Sequence, residues 1–205
     1  MPRSVRHTPE DRAFRRASTA GQSLVEFGLI LPLMLVFLLA LADLGRLFAS
    51  AIVVQAASRD GAEAAAQEYV QLARNATIDP TTFYGTIHAK AEAVACAEAQ
   101  RLPGVTVDSN GDCTQPVIAI CVHDSGYPIG GVTQPGDPGC GAYAGTAAPS
   151  CSGVAATWTT VPDPTGLPYV EVRMCDRFDM LTQVPTFHLG PLYLQQTSTF
   201  VAALY

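Results

Sequence analysis

The stretch that decides the fold is A-G-Q-S-L-V-E-F-G-L-I-L-P, residues Ala20 to Pro32, because it opens an apolar run with a carboxylate at its mouth. From Phe27 to Ala42 the chain reads F-G-L-I-L-P-L-M-L-V-F-L-L-A-L-A, without a charge. With Leu24 and Val25 added, this run approaches the roughly 20 residues that a helix needs to cross a hydrocarbon layer. A cleaved secretory signal has a shorter core and a small-residue cleavage site after it. Pro32 lies inside the run and, having no N–H, cannot bond the carbonyl of Gly28, so Gly28 and Pro32 together predict a kink or local melting.

Charge is distributed unevenly along the 205 residues. Residues 1–21 carry a net +3, from arginines at 3, 6, 12, 15 and 16 set against Glu10 and Asp11; the remainder carries −9. A basic end stays on the cytoplasmic side of a membrane, and an acidic body follows the helix outward. With no basic patch on the body, nucleic acid is excluded as a partner. The cysteines agree with export. All six (Cys96, Cys113, Cys121, Cys140, Cys151, Cys175) follow the apolar run, and none forms a C-x-x-C pair. An even number in an exported domain reads as disulfides, with about 15 pairings open. Cys140 to Cys151 is the nearest local bridge, and Cys96 to Cys175 would tie a helix to a strand.

The order of parts around Ala20 to Pro32 is specific. A basic leader ends in Gly21, four residues follow, and then Glu26 begins the hydrophobic helix. This resembles a type IV prepilin processing site. The longer string from Gly21 to Pro32, with D-L-G-R-L-F (Asp43 to Phe48) and A-A-S-R-D-G-A (Ala56 to Ala62), resembles the TadE-like family, pilin-like components of the tight-adherence (Flp, type IVc) pilus machinery. The resemblance covers Gly21 to Ala66 and rests on Phe27, Asp43, Gly45, Arg46, Arg59 and Gly61 as motif positions. It implies cleavage between Gly21 and Gln22 by a prepilin peptidase. It also implies pairing of Glu26 with the new amine of a neighbouring subunit when helices pack side by side. An acid in hydrocarbon is costly without such a partner; the plainer alternative is a glutamate that marks the helix start at its positive end.

Beyond the run, few residues break a helix before Arg74, so Leu24 to Arg74 would form one helix about 75 Å long. Its small residues, among them Ala57, Ser58, Gly61 and Ala64 to Ala66, serve either as a close-packing stripe or simply as good helix formers. Asp79 or Thr81 would cap a second helix over 82–102, with Phe83, Ile87, Ala91, Val94 and Ala95 toward a core. The remainder reads as β. Asn110-Gly111-Asp112 marks a hairpin, and 117–122 is a short buried strand. Tyr169 to Arg177 alternates, with Val170, Val172 and Met174 on one face and Glu171, Arg173 and Cys175 on the other. A last strand spans 192–204. The Gly/Pro-rich loop 126–153 offers little core. The fold class is α+β: a long N-terminal transmembrane-plus-stalk helix, and a second helix on a small, mostly antiparallel, disulfide-braced sheet. The expected divisions are leader 1–21, transmembrane helix 22–43, helical stalk 44–75 and extracytoplasmic head 76–205.

Catalytic and metal signals are poor. C-V-H-D-S-G (Cys121 to Gly126) contains nucleophile and base letters, yet adjacent strand residues point to opposite faces. His7, His88 and His188 stand apart in sequence, with no metal-ligand spacing. Asp108, Asn110 and Asp112 alternate like a calcium loop, but Ala119 occupies the position that should hold glutamate. The only lysine is Lys90 and there is no phosphate-binding loop. Trp158 reads as core rather than an exposed contact. No enzyme activity, metal or cofactor is expected. The resemblance implies a minor pilin-like (pseudopilin) subunit or accessory in the inner membrane, at or in the base of a pilus. Its partners would be the membrane, a prepilin peptidase, other pilins, pilus platform proteins and an adhesion surface. The alternatives are an uncleaved membrane-anchored binding or sensing module, and an anchored hydrolase using His123 or Asp124.

Overall fold

The computed structural model describes residues 9–74, 79–129, 132–140, 151, 166–181 and 190–202, with side chains from Gly21 onward except at Pro80 and Thr81. His7, Trp158, His188 and the end of the last strand expected through Leu204 lie outside them. The chain divides into two compact units, Met1–Gly45 and Arg46–Tyr205.

Helix α1 spans Pro9–Ala73 and stays helical through Pro32. Of the kink or local melting expected between Gly28 and Pro32, local melting does not occur: one lost hydrogen bond is too little to open a helix continued on both sides. In the first unit the segment from Leu24 to Leu41 is exposed on all sides. In the second unit α1 becomes one wall of a core. Val54, Ala57, Ala62, Ala65, Ala66 and Tyr69 are buried there, so the part of the expected stalk from Val54 onward packs within the head.

Helix α2 spans Pro80–Ala99. Its start is set by Asp79, whose carboxylate accepts from the Thr82 N–H at 3.3 Å and whose carbonyl accepts from Phe83 at 2.9 Å. Proline follows at the first helical position, where its missing N–H costs nothing. Phe83, Ile87, Ala91 and Ala95 are buried as expected; Tyr84 joins them, while Val94 is half-buried.

Three antiparallel strands form the main sheet in the order β3-β6-β7: β3 Val117–His123, β6 Tyr169–Phe178 and β7 Leu192–Val201. The register pairs Ile120 with Val172 and Val172 with Ser198. Two small hairpins accompany it. Strands β1 (Thr106–Val107) and β2 (Cys113–Gln115) pair across the turn at Gly111, which adopts φ +91°. Strands β4 (Pro128–Ile129) and β5 (Val132–Thr133) pair within the glycine-rich loop, where Ile129 is buried in the core. Among its described residues that loop therefore contributes Ile129 and Cys151 to the core clusters, which its composition does not suggest.

One face of β6, with Val170, Val172 and Met174, meets α1 and α2. The other face carries Glu171, Arg173 and Cys175 and is also buried, with Ala119 and Cys151 against Cys175. The three disulfides are Cys96–Cys113, Cys121–Cys140 and Cys151–Cys175. Both expected pairings, Cys140 to Cys151 and Cys96 to Cys175, are corrected. Cys175 lies on the face of β6 turned away from α2, so strand alternation keeps it from Cys96. Cys140 closes the 3-10 turn Pro138–Cys140, which Asp137 holds against β3 beside Cys121.

Candidate functional site

The N-terminal segment holds most of the sequence-expected positions. Gly21, Gln22, Glu26, Phe27, Gly28 and Pro32 all lie on exposed turns of α1. The Gln22 side-chain amide donates to the Glu26 carboxylate at 3.1 Å, four residues on. A Cβ added at Gly21, Gly28 or Gly45 would meet nothing within 4 Å. The fold of this chain therefore gives no reason for glycine there.

Gly61 is different. A Cβ there would stand 3.0 Å from the Ala95 Cβ and 3.2 Å from the Ala91 carbonyl oxygen. Its motif position lets α1 and α2 approach closely inside the head, and the flanking small residues, Ala57, Ala62 and Ala65, are buried in the same contact. Ser58 adds a hydroxyl contact of 2.9 Å to Ser198 on β7. Of the remaining motif residues, Asp43 is buried, Arg59 is exposed, and Arg46 places its guanidinium 5.3 Å from the centre of the Phe178 ring.

The letters of C-V-H-D-S-G separate in space. Cys121 is bonded to Cys140. His123 contacts Glu171 at 3.0 Å and stacks on Tyr169 at 4.3 Å. Asp124 turns to the other side, where it accepts from the Tyr84 hydroxyl at 2.9 and 3.0 Å. The segment ends in a turn closed by the Tyr127 N–H on the Asp124 carbonyl, with Gly126 at φ +81°. His123 and Asp124 thus serve different polar clusters and do not assemble a triad. The Asp108 carboxylate is likewise engaged, accepting from the Asn110 and Asp112 N–H groups at 2.8 and 3.0 Å. Those bonds lower its pKa and make it a turn cap.

Three polar groupings escaped the sequence reading. His88, isolated in sequence, sits 2.7 Å from Asp137. Burial alone would push the Asp137 carboxyl up, but His88 and the N–H groups of Val122 (2.9 Å) and Gly139 (2.8 Å) bring it below its ordinary value. Asp137 also lies within metal-ligand reach of Cys121 and Cys140, whose sulfurs are bonded to each other. On the second face of β6, Glu171 is wholly buried and accepts from Arg173 at 2.7 Å. Around Asp124, burial pushes the carboxyl up to about 6, with Asp137 adding to the rise and the Tyr84 hydroxyl opposing it. Tyr69 is buried beside this carboxylate, and its phenol is pushed up chiefly by burial. The His88–Asp137 and Tyr84–Asp124 contacts have no local signature, since each joins residues tens of positions apart, and the nearby Glu171–Arg173 pair reads in sequence as a solvent-facing one.

Within α1, 53 residues from Gly21 to Ala73 form a helix long and apolar enough to cross a membrane. No curated protein and no solved structure matches the chain. The family model described as TadE-like protein matches residues 21–63, from the glycine before Gln22 to just past Gly61, and the chain carries a TadE-like segment over that span.

Proposed function

We propose that this chain is a membrane-anchored, pilin-like subunit or accessory of a tight-adherence pilus system, cut after Gly21 and assembled through its N-terminal helix. One observation carries the reading: Leu24, Val25, Phe27, Leu29 and the large side chains through Leu41 are 44–74% exposed on a TadE-like helix. Apolar area of that extent is not left in water, so lipid or neighbouring helices must cover it. The bare surfaces at Gly21 and Gly28 suit the close approach of another helix.

In this reading the helix enters the inner membrane with the arginine-rich end in the cytoplasm, and Arg46–Tyr205 is the extracytoplasmic head. Three disulfides support an oxidising compartment for the head. Cleavage creates an amine on Gln22, one helical turn from Glu26, where Gln22 already reaches the carboxylate. In an assembly the Glu26 of one copy neutralises the amine of the next and sets the axial register of the two helices. A prepilin peptidase, other pilins and platform proteins are the partners, and the head faces the surface to which the cell adheres.

The test is the N-terminus of membrane-extracted protein together with a Glu26→Gln variant. The expected result is a chain starting at Gln22. The variant should insert normally and co-purify with pilus components at least about tenfold less well, as for a truncated interfacial charge pair. A chain starting at Met1 in cells with an active peptidase overturns processing and leaves an uncleaved anchor. Unchanged co-purification of the variant overturns the pairing.

A further inference from the structure

Two buried acceptors in the head border one cavity: among the described residues one has a single backbone donor and no counter-ion, and the other has no donor. The cavity, about 480 Å³, is bordered by the start of the second unit at Arg46, the turn after α2, and the ends of β2 and β6. Asp176 on β6 is 5% exposed, and its hydrogen-bond partner among the described residues is the backbone N–H of Arg177. The side-chain oxygen of Gln115 is buried and has no hydrogen-bond partner among the described residues. A buried amide oxygen without its hydrogen bond and a buried carboxylate without a counter-ion are both costly as they stand.

The surrounding charges do not neutralise Asp176. Arg177 is turned onto Asp179, at 3.2 Å, and Arg46 lies on the Phe178 ring. Burial pushes the Asp176 carboxyl up to about 6, and Asp179 adds to the rise. What would complete the site is a cation that donates N–H bonds. The space exceeds the roughly 30 Å³ of one water many times over, and Pro103 offers an apolar wall for a methylene stem. We propose that this cavity binds an alkylammonium or alkylguanidinium group, of the lysine or arginine side-chain kind, with Asp176 as its counter-ion and Gln115 as its second acceptor. The group comes either from a basic side chain of a partner chain or from a free small amine. The inference stands apart from the pilus reading.

The test is calorimetric titration of the full chain in detergent near neutral pH with Nα-acetyl-lysine methylamide and, separately, with putrescine. Saturable binding of either is expected, and none of acetyl-norleucine methylamide, which has the stem without the charge. Asp176→Asn should weaken binding about tenfold or more, and Gln115→Met severalfold. Affinity should fall below about pH 6, where Asp176 takes up a proton. Asp176→Asn removes a buried charge at constant shape and is expected to fold; a melting curve checks this, and Gln115→Met is the second probe. Preference for the lysine derivative identifies a side-chain source, and preference for putrescine a free amine. The proposal is overturned if neither amine binds at millimolar concentration, if Asp176→Asn binds as well as the parent, or if calcium binds at Asp176 while the amines do not.

Discussion

At Gly61 a missing side chain decides how closely two helices pack. Adding a methyl gains up to about 1 kcal/mol of helix propensity. It also sets a Cβ against the Ala95 Cβ and the Ala91 carbonyl, neither of which can rotate away, and overpacking of this kind costs about 1–3 kcal/mol. The clash wins, so Gly61→Ala should lower head stability by about 1 kcal/mol in urea denaturation. Gly45→Ala, with open space around it, should be neutral or stabilising. Equal effects at the two positions would remove the packing role of Gly61. Asp124 is a second case where one group decides a measurable property. Its folded pKa, about 6, lies above the ordinary 3.8. The folded state therefore binds more protons than the unfolded state between those values, and this group's contribution rises as pH falls through 6. Asp124→Asn should flatten the stability profile between pH 4 and 6, by at most about 1.4 kcal/mol per pH unit. An unchanged profile would show that Asp124 titrates normally. The glycine of the motif was visible in sequence but its partners were not, because Ala91 and Ala95 lie thirty residues on. The Asp124 cluster was hidden for the same reason, since Tyr84 is forty positions away.

Among the elements, the strands were the more legible part. Alternation placed β6, with Val170, Val172 and Met174 on one face, and the hairpin signal at Gly111 placed β1 and β2. The second face of β6 was not legible. Glu171 and Arg173 have the polarity of a solvent face, yet both are buried and paired, and only the covalent tie of Cys175 to Cys151 marks that face as covered. The glycine-rich loop misled in a similar way. Its composition predicts little core, but one buried carboxylate organises its 3-10 turn: Asp137 accepts from Val122 on β3, from Gly139 within the turn, and contacts His88 on α2. Such a junction is strong because a charged acceptor meets two backbone N–H donors at 2.8 and 2.9 Å. Asp137→Ala should cost about 3 kcal/mol by leaving the buried Val122 N–H unpaired and breaking charge-assisted bonds. The folded pKa is depressed, so the contribution of Asp137 is present above its ordinary value and is lost as pH falls through the folded one. A urea midpoint within error of the parent at neutral pH would mean that the Cys121–Cys140 bridge alone holds the turn.

For the whole molecule, the question is where the head begins. Composition sets a boundary near residue 75, since an alanine-rich helix with small side chains serves equally as stalk or as core wall. The structure puts the second unit at Arg46–Tyr205, and the physical reason is the sheet. The Val170, Val172 and Met174 face of β6 is broader than α2 alone covers, and the final turns of α1 supply Val54, Ala62, Ala65, Ala66 and Tyr69 to close it. Tyr69 packs edge-on against Phe83 at 5.2 Å, joining the two helices over that face. Burying Val54 is worth about 1.5–3 kcal/mol, and the Tyr69 ring and the alanines add to this. The total is comparable with the roughly 5–15 kcal/mol that holds a typical domain together. A fragment of residues 46–205, expressed with oxidative folding, should therefore be water-soluble, unfold cooperatively and contain the three native disulfides by peptide mapping. A fragment of residues 76–205 should expose the uncovered sheet face, aggregate or bind a hydrophobic dye, and scramble its cysteines. If the shorter fragment folds as cooperatively as the longer one, residues 46–75 are a stalk after all, and the close approach at Gly61 has no part in the stability of the head.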